Sequence, residues 1–147
     1  MCAYTKFIYQ IIFTPKYRTS CMIKNNRDEL FKYIAGILKN KNCHLYQING
    51  VEDHVHILTH VHPSIALADL IKDVKINSNK FIKEQNLFPE FTGWQDGYNA
   101  FTYSNNALPN LIRYVQNQEE HHKKASYIKE IKALLKEHDI DFEEKFL

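Results

Sequence analysis

Apolar positions along the chain recur with two different periods, and the switches between them mark out the elements. Residues 4–13 (Y-T-K-F-I-Y-Q-I-I-F) are dense in β-branched and aromatic side chains, which predicts a strand near the middle of a sheet, ended by Pro15. Residues 26–39 change to helical spacing: Leu30, Phe31, Ile34, Ile37 and Leu38 form one stripe, with Asn25 or Asn26 as cap and Asp28 and Glu29 in the first turn. Residues 43–48 read as a second strand, Asn49-Gly50 as a turn and residues 51–61 as a third strand, the two pairing as a hairpin. Ser64 then caps a second helix whose buried face is Leu67, Leu70, Ile71, Val74, Phe81 and Ile82. A loop carrying Trp94 (residues 88–97) leads to a fourth strand at 98–103. A third helix covers residues 108–124, and residues 128–138 are helical again before a polar tail.

The order β-α-β-β-α-β followed by helix predicts an α+β fold of the ferredoxin-like (RRM-like) kind. Its antiparallel sheet carries helices packed on one face, with a further C-terminal helix. In this topology the first and third strands form the central pair, so the strand around Val55 lies mid-sheet.

Composition narrows the class without naming a chemistry. The 147 residues suit one domain over residues 1–147, and 44% hydrophobic with 24% charged residues is ordinary for a soluble globular protein. Only four Gly and four Pro argue against disorder. No run reaches the roughly 18 apolar residues of a membrane span, and no cleavage signature follows the N-terminus, so a cytoplasmic protein with no membrane partner is expected. Cys2, Cys21 and Cys43 are odd in number and widely spaced, which fits a reducing compartment and excludes a C-x-x-C metal site. Net charge is only +2, yet residues 1–50 carry +6, residues 51–100 carry −3 and residues 101–147 carry −1. A basic first third suits phosphates, and a solvated surface explains it nearly as well.

The candidate chemistry begins with Val51-Glu-Asp-His-Val-His-Ile-Leu-Thr-His60. Strand alternation puts His54 and His56 on one side, about 7 Å apart along the chain, where two imidazoles can converge on one metal ion. His60 and His62 share that parity, but Leu58 intervenes and Pro63 marks the strand end, leaving them as rim histidines. At about 100° per residue, Leu108, Leu111, Ile112 and Val115 make the packing stripe of the third helix. Tyr114 and Gln118 then sit one turn apart at its rim, with His121 on the tyrosine's face and able to orient a phosphate. Lys16, Tyr17 and Arg18 follow Pro15 as a basic-aromatic cluster of the kind that holds a phosphate and stacks a base.

Taken together, a His-x-His strand and a Tyr-x-x-x-Gln helix about sixty residues later resemble the HUH single-tyrosine transposases, relatives of the REP-associated tyrosine transposases. The resemblance runs along the whole chain. It includes Tyr9-Gln-Ile-Ile-Phe-Thr-Pro-Lys-Tyr-Arg18, Gly50-Val-Glu-Asp-His-Val-His-Ile-Leu58, Gly93-Trp-Gln-Asp-Gly-Tyr98 with Ala100-Phe101, Ile112-Arg-Tyr-Val-Gln-Asn-Gln118, and residues 131–140. Asn99 departs from it, standing where relatives often have Gly. The resemblance implies that Tyr114 is the nucleophile and that His54, His56 and Gln118 hold Mg²⁺, with Mn²⁺ able to substitute. It also implies DNA contacts at Lys16, Tyr17 and Arg18. The implied substrate is single-stranded DNA with hairpin ends, cut and rejoined through a 5′-phosphotyrosine by a homodimer that in many members shares its active sites between subunits. Two other classes fit the same residues: a domesticated relative acting on host repeats, and a non-catalytic module that binds single-stranded nucleic acid through exposed strand aromatics.

Overall fold

The computed structural model describes residues 3–147. Strand β1 (Ile8–Phe13) is followed by a 3-10 turn at Lys16–Arg18, helix α1 (Lys24–Asn40), strands β2 (Leu45–Gly50) and β3 (Val55–His60), and helix α2 (Leu67–Gln85). Strand β4 (Asn99–Tyr103) and helices α3 (Leu108–Gln116), α4 (Gln118–Lys124) and α5 (Tyr127–Glu137) complete the fold. The sheet is fully antiparallel in the order β2-β3-β1-β4, so the first and third strands are central as the pattern predicts.

Strand alternation explains the two layers of core. Ile11, Phe13, Val55 and Ile57 point to one face and pack with Leu30, Phe31, Ile34 and Leu38 of α1 and Leu70, Ile71, Val74 and Ile82 of α2. The other parity sends Ile8, Ile12 and Leu58 to the opposite face, where Leu111 and Val115 of α3 and Ile131, Leu134 and Leu135 of α5 cover them. The C-terminal helices therefore roof the face that carries His54 and His56. Cys21 and Cys43 are buried free thiols, and Cys2 lies outside the described residues. Among the described residues no helix is long and apolar enough to cross a membrane.

Several local expectations are corrected. The hairpin turn lies at residues 51–54 instead of Asn49-Gly50, which belong to β2. Gly50 passes so close to the returning chain that a Cβ would meet the His54 carbonyl oxygen at 2.5 Å, and the Val51 amide donates to that same oxygen at 3.1 Å. Asn26 does not cap α1, because its amide is spent on the Leu87 carbonyl at 2.7 Å. Ser64 does not cap α2 either; its hydroxyl pairs with His62 Nδ1 at 2.6 Å and the helix starts after Ala66. The expected continuous helix over 108–124 breaks at Asn117 (φ −96°, ψ 22°), which separates α3 from α4. Asn99 lies inside β4 opposite Ile12 and needs no left-handed backbone, so the position tolerates a side chain.

Candidate active site

His56 lies in β3 and His54 one residue ahead of it, both buried, with ring centroids 5.1 Å apart. Each ring is aimed by an acceptor at Nδ1. His54 Nδ1 is 2.7 Å from Asp53 Oδ1, and His56 Nδ1 is 2.8 Å from Gln10 Oε1. The Gln10 amide nitrogen in turn donates to the Tyr103 hydroxyl at 3.0 Å, which fixes its oxygen toward the histidine. With Nδ1 protonated, each neutral ring turns an Nε2 lone pair inward.

What meets these lone pairs is Glu130 from α5. Its Oε1 lies 3.2 Å from His54 Nε2 and 3.0 Å from His56 Nε2. Gln118 Oε1 approaches His54 Nε2 at 3.3 Å. On the other side of the carboxylate, Oε2 accepts the Tyr114 hydroxyl and the Gln118 amide (3.4 Å), and His121 Nε2 comes within 3.0 Å of it without hydrogen-bond alignment. Five side chains from four elements thus converge on one buried carboxylate.

The charges respond to this crowding. Burial opposes charging of His54, but hydrogen bonds to Asp53 and Glu130 outweigh it and raise its pKa to about 9. Burial dominates at His56 and lowers its pKa. At Glu130 burial would raise the carboxyl, yet hydrogen bonds from His54 and His56 pull it well below the usual range. Tyr114 is held well above an ordinary phenol, first by burial and then by the Glu130 charge beside it. Two imidazole Nε2 atoms and an ionised carboxylate oxygen, all buried, form a donor set suited to a divalent cation that takes the place of the proton held there. Separations of 3.0–3.3 Å fit it, since donors about 2.1 Å from an ion at right angles lie about 3 Å apart.

Helix α3 brings the tyrosine to this site. Leu111 and Val115 bury its apolar stripe against Ile8 and Leu58. Asn49 of β2 donates from Nδ2 to the carbonyls of both Val115 and Gln116 at 3.0 Å, tying down the end of the helix. The Tyr114 ring lies 5.8 Å from the His56 ring of the same chain, and a cavity of about 520 Å³ opens onto Tyr114, His121 and Glu130.

Lys16, Tyr17 and Arg18 stand apart from the histidine cluster but adjoin it. Tyr17 and Arg18 are consecutive left-handed residues (φ 59° and 53°), a strained arrangement of the kind found at binding loops. It is held by the Tyr17 amide donating to Gln95 Oε1 at 2.9 Å and the Lys16 amide donating to the Gly93 carbonyl at 2.8 Å. Lys75 fastens the opposing loop through the carbonyls of Gln95 and Gly97. Between the two loops lies a cavity of about 410 Å³ lined by Tyr17, Arg18, Tyr98, Asn99 and Tyr127. Tyr17 is 82% exposed, and Arg18 stacks over Tyr127, whose ring is 5.1 Å from that of His54. His60 and His62 are not part of the cluster; His60 Nδ1 accepts the Phe7 amide and His62 pairs with Ser64.

Sequence reasoning missed Glu130. The signal was a carboxylate on an apolar stripe, since Glu130 falls three residues after Tyr127 and four before Leu134, both buried. The helix start is marked by Ser126, whose hydroxyl accepts the Lys129 amide.

The chain has relatives among known proteins. The family model described as IS200-like transposase matches residues 3–118. The chain is 25% identical to the ISDra2 transposase TnpA of Deinococcus radiodurans over 117 residues, 76% of this chain and 84% of that one. It is 25% identical over 77 residues to the IS200 transposase of Salmonella typhimurium, 52% of this chain and 51% of that one. Among solved structures, a Deinococcus radiodurans transposase superposes with TM-score 0.62 at 23% identity, over 80% of this chain and 95% of that one. A REP-associated tyrosine transposase bound to a REP hairpin superposes with TM-score 0.60 at 13% identity, over 83% and 72%. The match to the family stops at residue 118, so Glu130 and α5 lie beyond it.

Proposed function

The chain belongs to the IS200-like transposase family, and from that premise we propose that it cleaves and rejoins single-stranded DNA through Tyr114. The observation that carries this reading is the Tyr114 hydroxyl donating to a buried carboxylate that also faces two oriented histidine nitrogens. In the cleavage step the Tyr114 oxygen bonds to phosphorus and the bond to the 3′ oxygen breaks. The phenolic proton leaves to solvent in the cavity that opens onto Tyr114, and the departing 3′ oxygen takes up a proton in turn. The product is a 5′-phosphotyrosine and a free 3′-hydroxyl, and attack by a 3′-hydroxyl reverses the chemistry on the same or another strand. His54, His56 and Gln118 would hold Mg²⁺ or Mn²⁺. A divalent cation there would neutralise charge building on the scissile phosphate.

The chain's other residues divide the remaining work. Asp53 and Gln10 hold the histidine tautomers, and Asn49 holds the tyrosine helix. Lys16, Tyr17 and Arg18 would take the strand beside the site, the arginine on phosphate and the exposed tyrosine on a base, using the cavity next to Tyr127. We read the substrate as single-stranded DNA with hairpin ends and the working unit as a homodimer, as the sequence resemblance implies; light scattering tests the latter.

The experiment is incubation of labelled single-stranded flanking DNA with the protein and Mg²⁺ or Mn²⁺. A covalent adduct on a denaturing gel is expected for the native chain and none for Tyr114→Phe, which retains DNA binding. An adduct that persists in Tyr114→Phe, or cleavage that continues in EDTA, overturns the reading. A non-catalytic binding module would give DNA binding indifferent to both changes.

A further inference from the structure

The ligand set implied by the sequence is neutral: two imidazoles and an amide. The structure assigns a fourth and charged member. We propose that Glu130 of α5 is a direct ligand of the cation through Oε1, adding one carboxylate to the two histidines and Gln118 and so selecting Mn²⁺ over Mg²⁺. The proposal rests on the metal-dependent reading above and deepens it.

Three observations carry it. First, Glu130 Oε1 is the one oxygen facing both imidazole Nε2 atoms, at 3.2 and 3.0 Å, whereas Gln118 Oε1 faces only His54, at 3.3 Å. Secondly, both histidines are aimed by acceptors at Nδ1, so each ring turns Nε2 to that oxygen, and a cation that displaces the proton between them engages all three donors together. Thirdly, Glu130 is 4% exposed in a roofed site, where an ionised carboxylate requires positive charge beside it, which a cation supplies.

The chemistry of the donors sets the preference. Mg²⁺ binds through carboxylates, phosphates and retained waters, and imidazole suits it poorly. Two imidazoles with one carboxylate form a set that favours first-row transition ions over Mg²⁺. The second carboxylate oxygen meanwhile receives the Tyr114 hydroxyl, so one side chain links the cation to the nucleophile. Glu130 is in this sense both ligand and positioning residue, supplied by a helix outside the part of the chain that matches the family.

The test measures metal binding directly, without turnover. Free Mn²⁺ is counted by electron paramagnetic resonance in titrations of the native chain, Glu130→Gln, Gln118→Ala and the double variant His54→Ala/His56→Ala, with Mg²⁺ as competitor. Circular dichroism in EDTA verifies that each variant is folded, and Glu130→Asp serves as a second probe should Glu130→Gln fail to fold. The native chain is expected to bind Mn²⁺ at least about tenfold more tightly than Mg²⁺. Glu130→Gln should weaken Mn²⁺ at least about tenfold and narrow that preference, by more than Gln118→Ala does. Glu130→Asp, one methylene shorter, should fall between native and Gln. Unchanged Mn²⁺ affinity in Glu130→Gln, with binding lost in the histidine variant, overturns the ligand role and leaves the metal reading standing. No Mn²⁺ or Mg²⁺ binding by the native chain overturns both.

Discussion

Asn49 offers a direct test of how the sheet positions Tyr114. Its side-chain amide donates two hydrogen bonds of 3.0 Å to the carbonyls of Val115 and Gln116, at the end of the helix that carries Tyr114. A net contribution of about 0.5–1.5 kcal/mol per bond applies, toward the lower end for the exposed bond to Gln116. Asn49→Ala should therefore cost about 1–2 kcal/mol. Asn49→Asp keeps the shape but removes the donor and sets a carboxylate against two carbonyl oxygens at the negative end of a helix. That adds roughly 0.3–1 kcal/mol to the loss. At about 2–4 °C per kcal/mol for a chain of this size, the alanine variant should melt a few degrees below the native chain and the aspartate variant lower still. Urea unfolding gives the energies, and adduct formation at a temperature where all variants are folded gives the functional part. Both variants should form the tyrosine adduct more slowly than their folded fraction explains, because the helix end that sets Tyr114 is loose. The reasoning is refuted if Asn49→Asp is as stable as Asn49→Ala or better, or if adduct rates are unchanged in both.

Three further outcomes are expected. Gly50→Ala should lose about 1–3 kcal/mol, because its Cβ meets backbone atoms of His54 and Val55 at 2.5 and 3.2 Å; calorimetry reads the loss, and metal titration should reveal a displaced His54. Ser126→Ala removes the cap of α5 and should cost about 1 kcal/mol, with faster amide hydrogen exchange at residues 127–130; unchanged exchange there refutes the capping role. Glu119 bonds Lys24 (3.1 Å) and the buried Arg27 (3.2 Å), which hold its carboxyl below the ordinary 4.5, with the Lys24 bond the larger cause. Its contribution is complete above about pH 4.5 and disappears as pH falls through the folded-state value. Because the Glu119 side chain is 43% exposed, solvent screening should keep the effect under about 1 kcal/mol, and Glu119→Gln should show a flatter loss of urea stability between neutral pH and pH 3 than the native chain.

Period and parity in the sequence were sufficient to place the four strands and to put His54 and His56 on one face, because side-chain direction along a strand depends only on local backbone geometry. The same holds for the apolar stripe of α3 and the position of Tyr114 at its rim. Helix starts were less legible. Asn26 and Ser64 look like caps, but each has a tertiary or neighbouring partner that outcompetes the helix end. The hairpin turn moved because Gly50 is needed for close approach of the returning strand and not for the turn itself.

The site shows the same division between local and tertiary determination. Local pattern determined which residues carry imidazole, phenol and amide, and which faces they occupy. Only tertiary structure decided that Glu130, 74 residues after His56, closes the site and joins the histidines to the tyrosine. No local rule could announce this, since a carboxylate on an apolar helical stripe is tolerable only when distant partners compensate its burial, and those partners meet only once the C-terminal helices pack over the sheet.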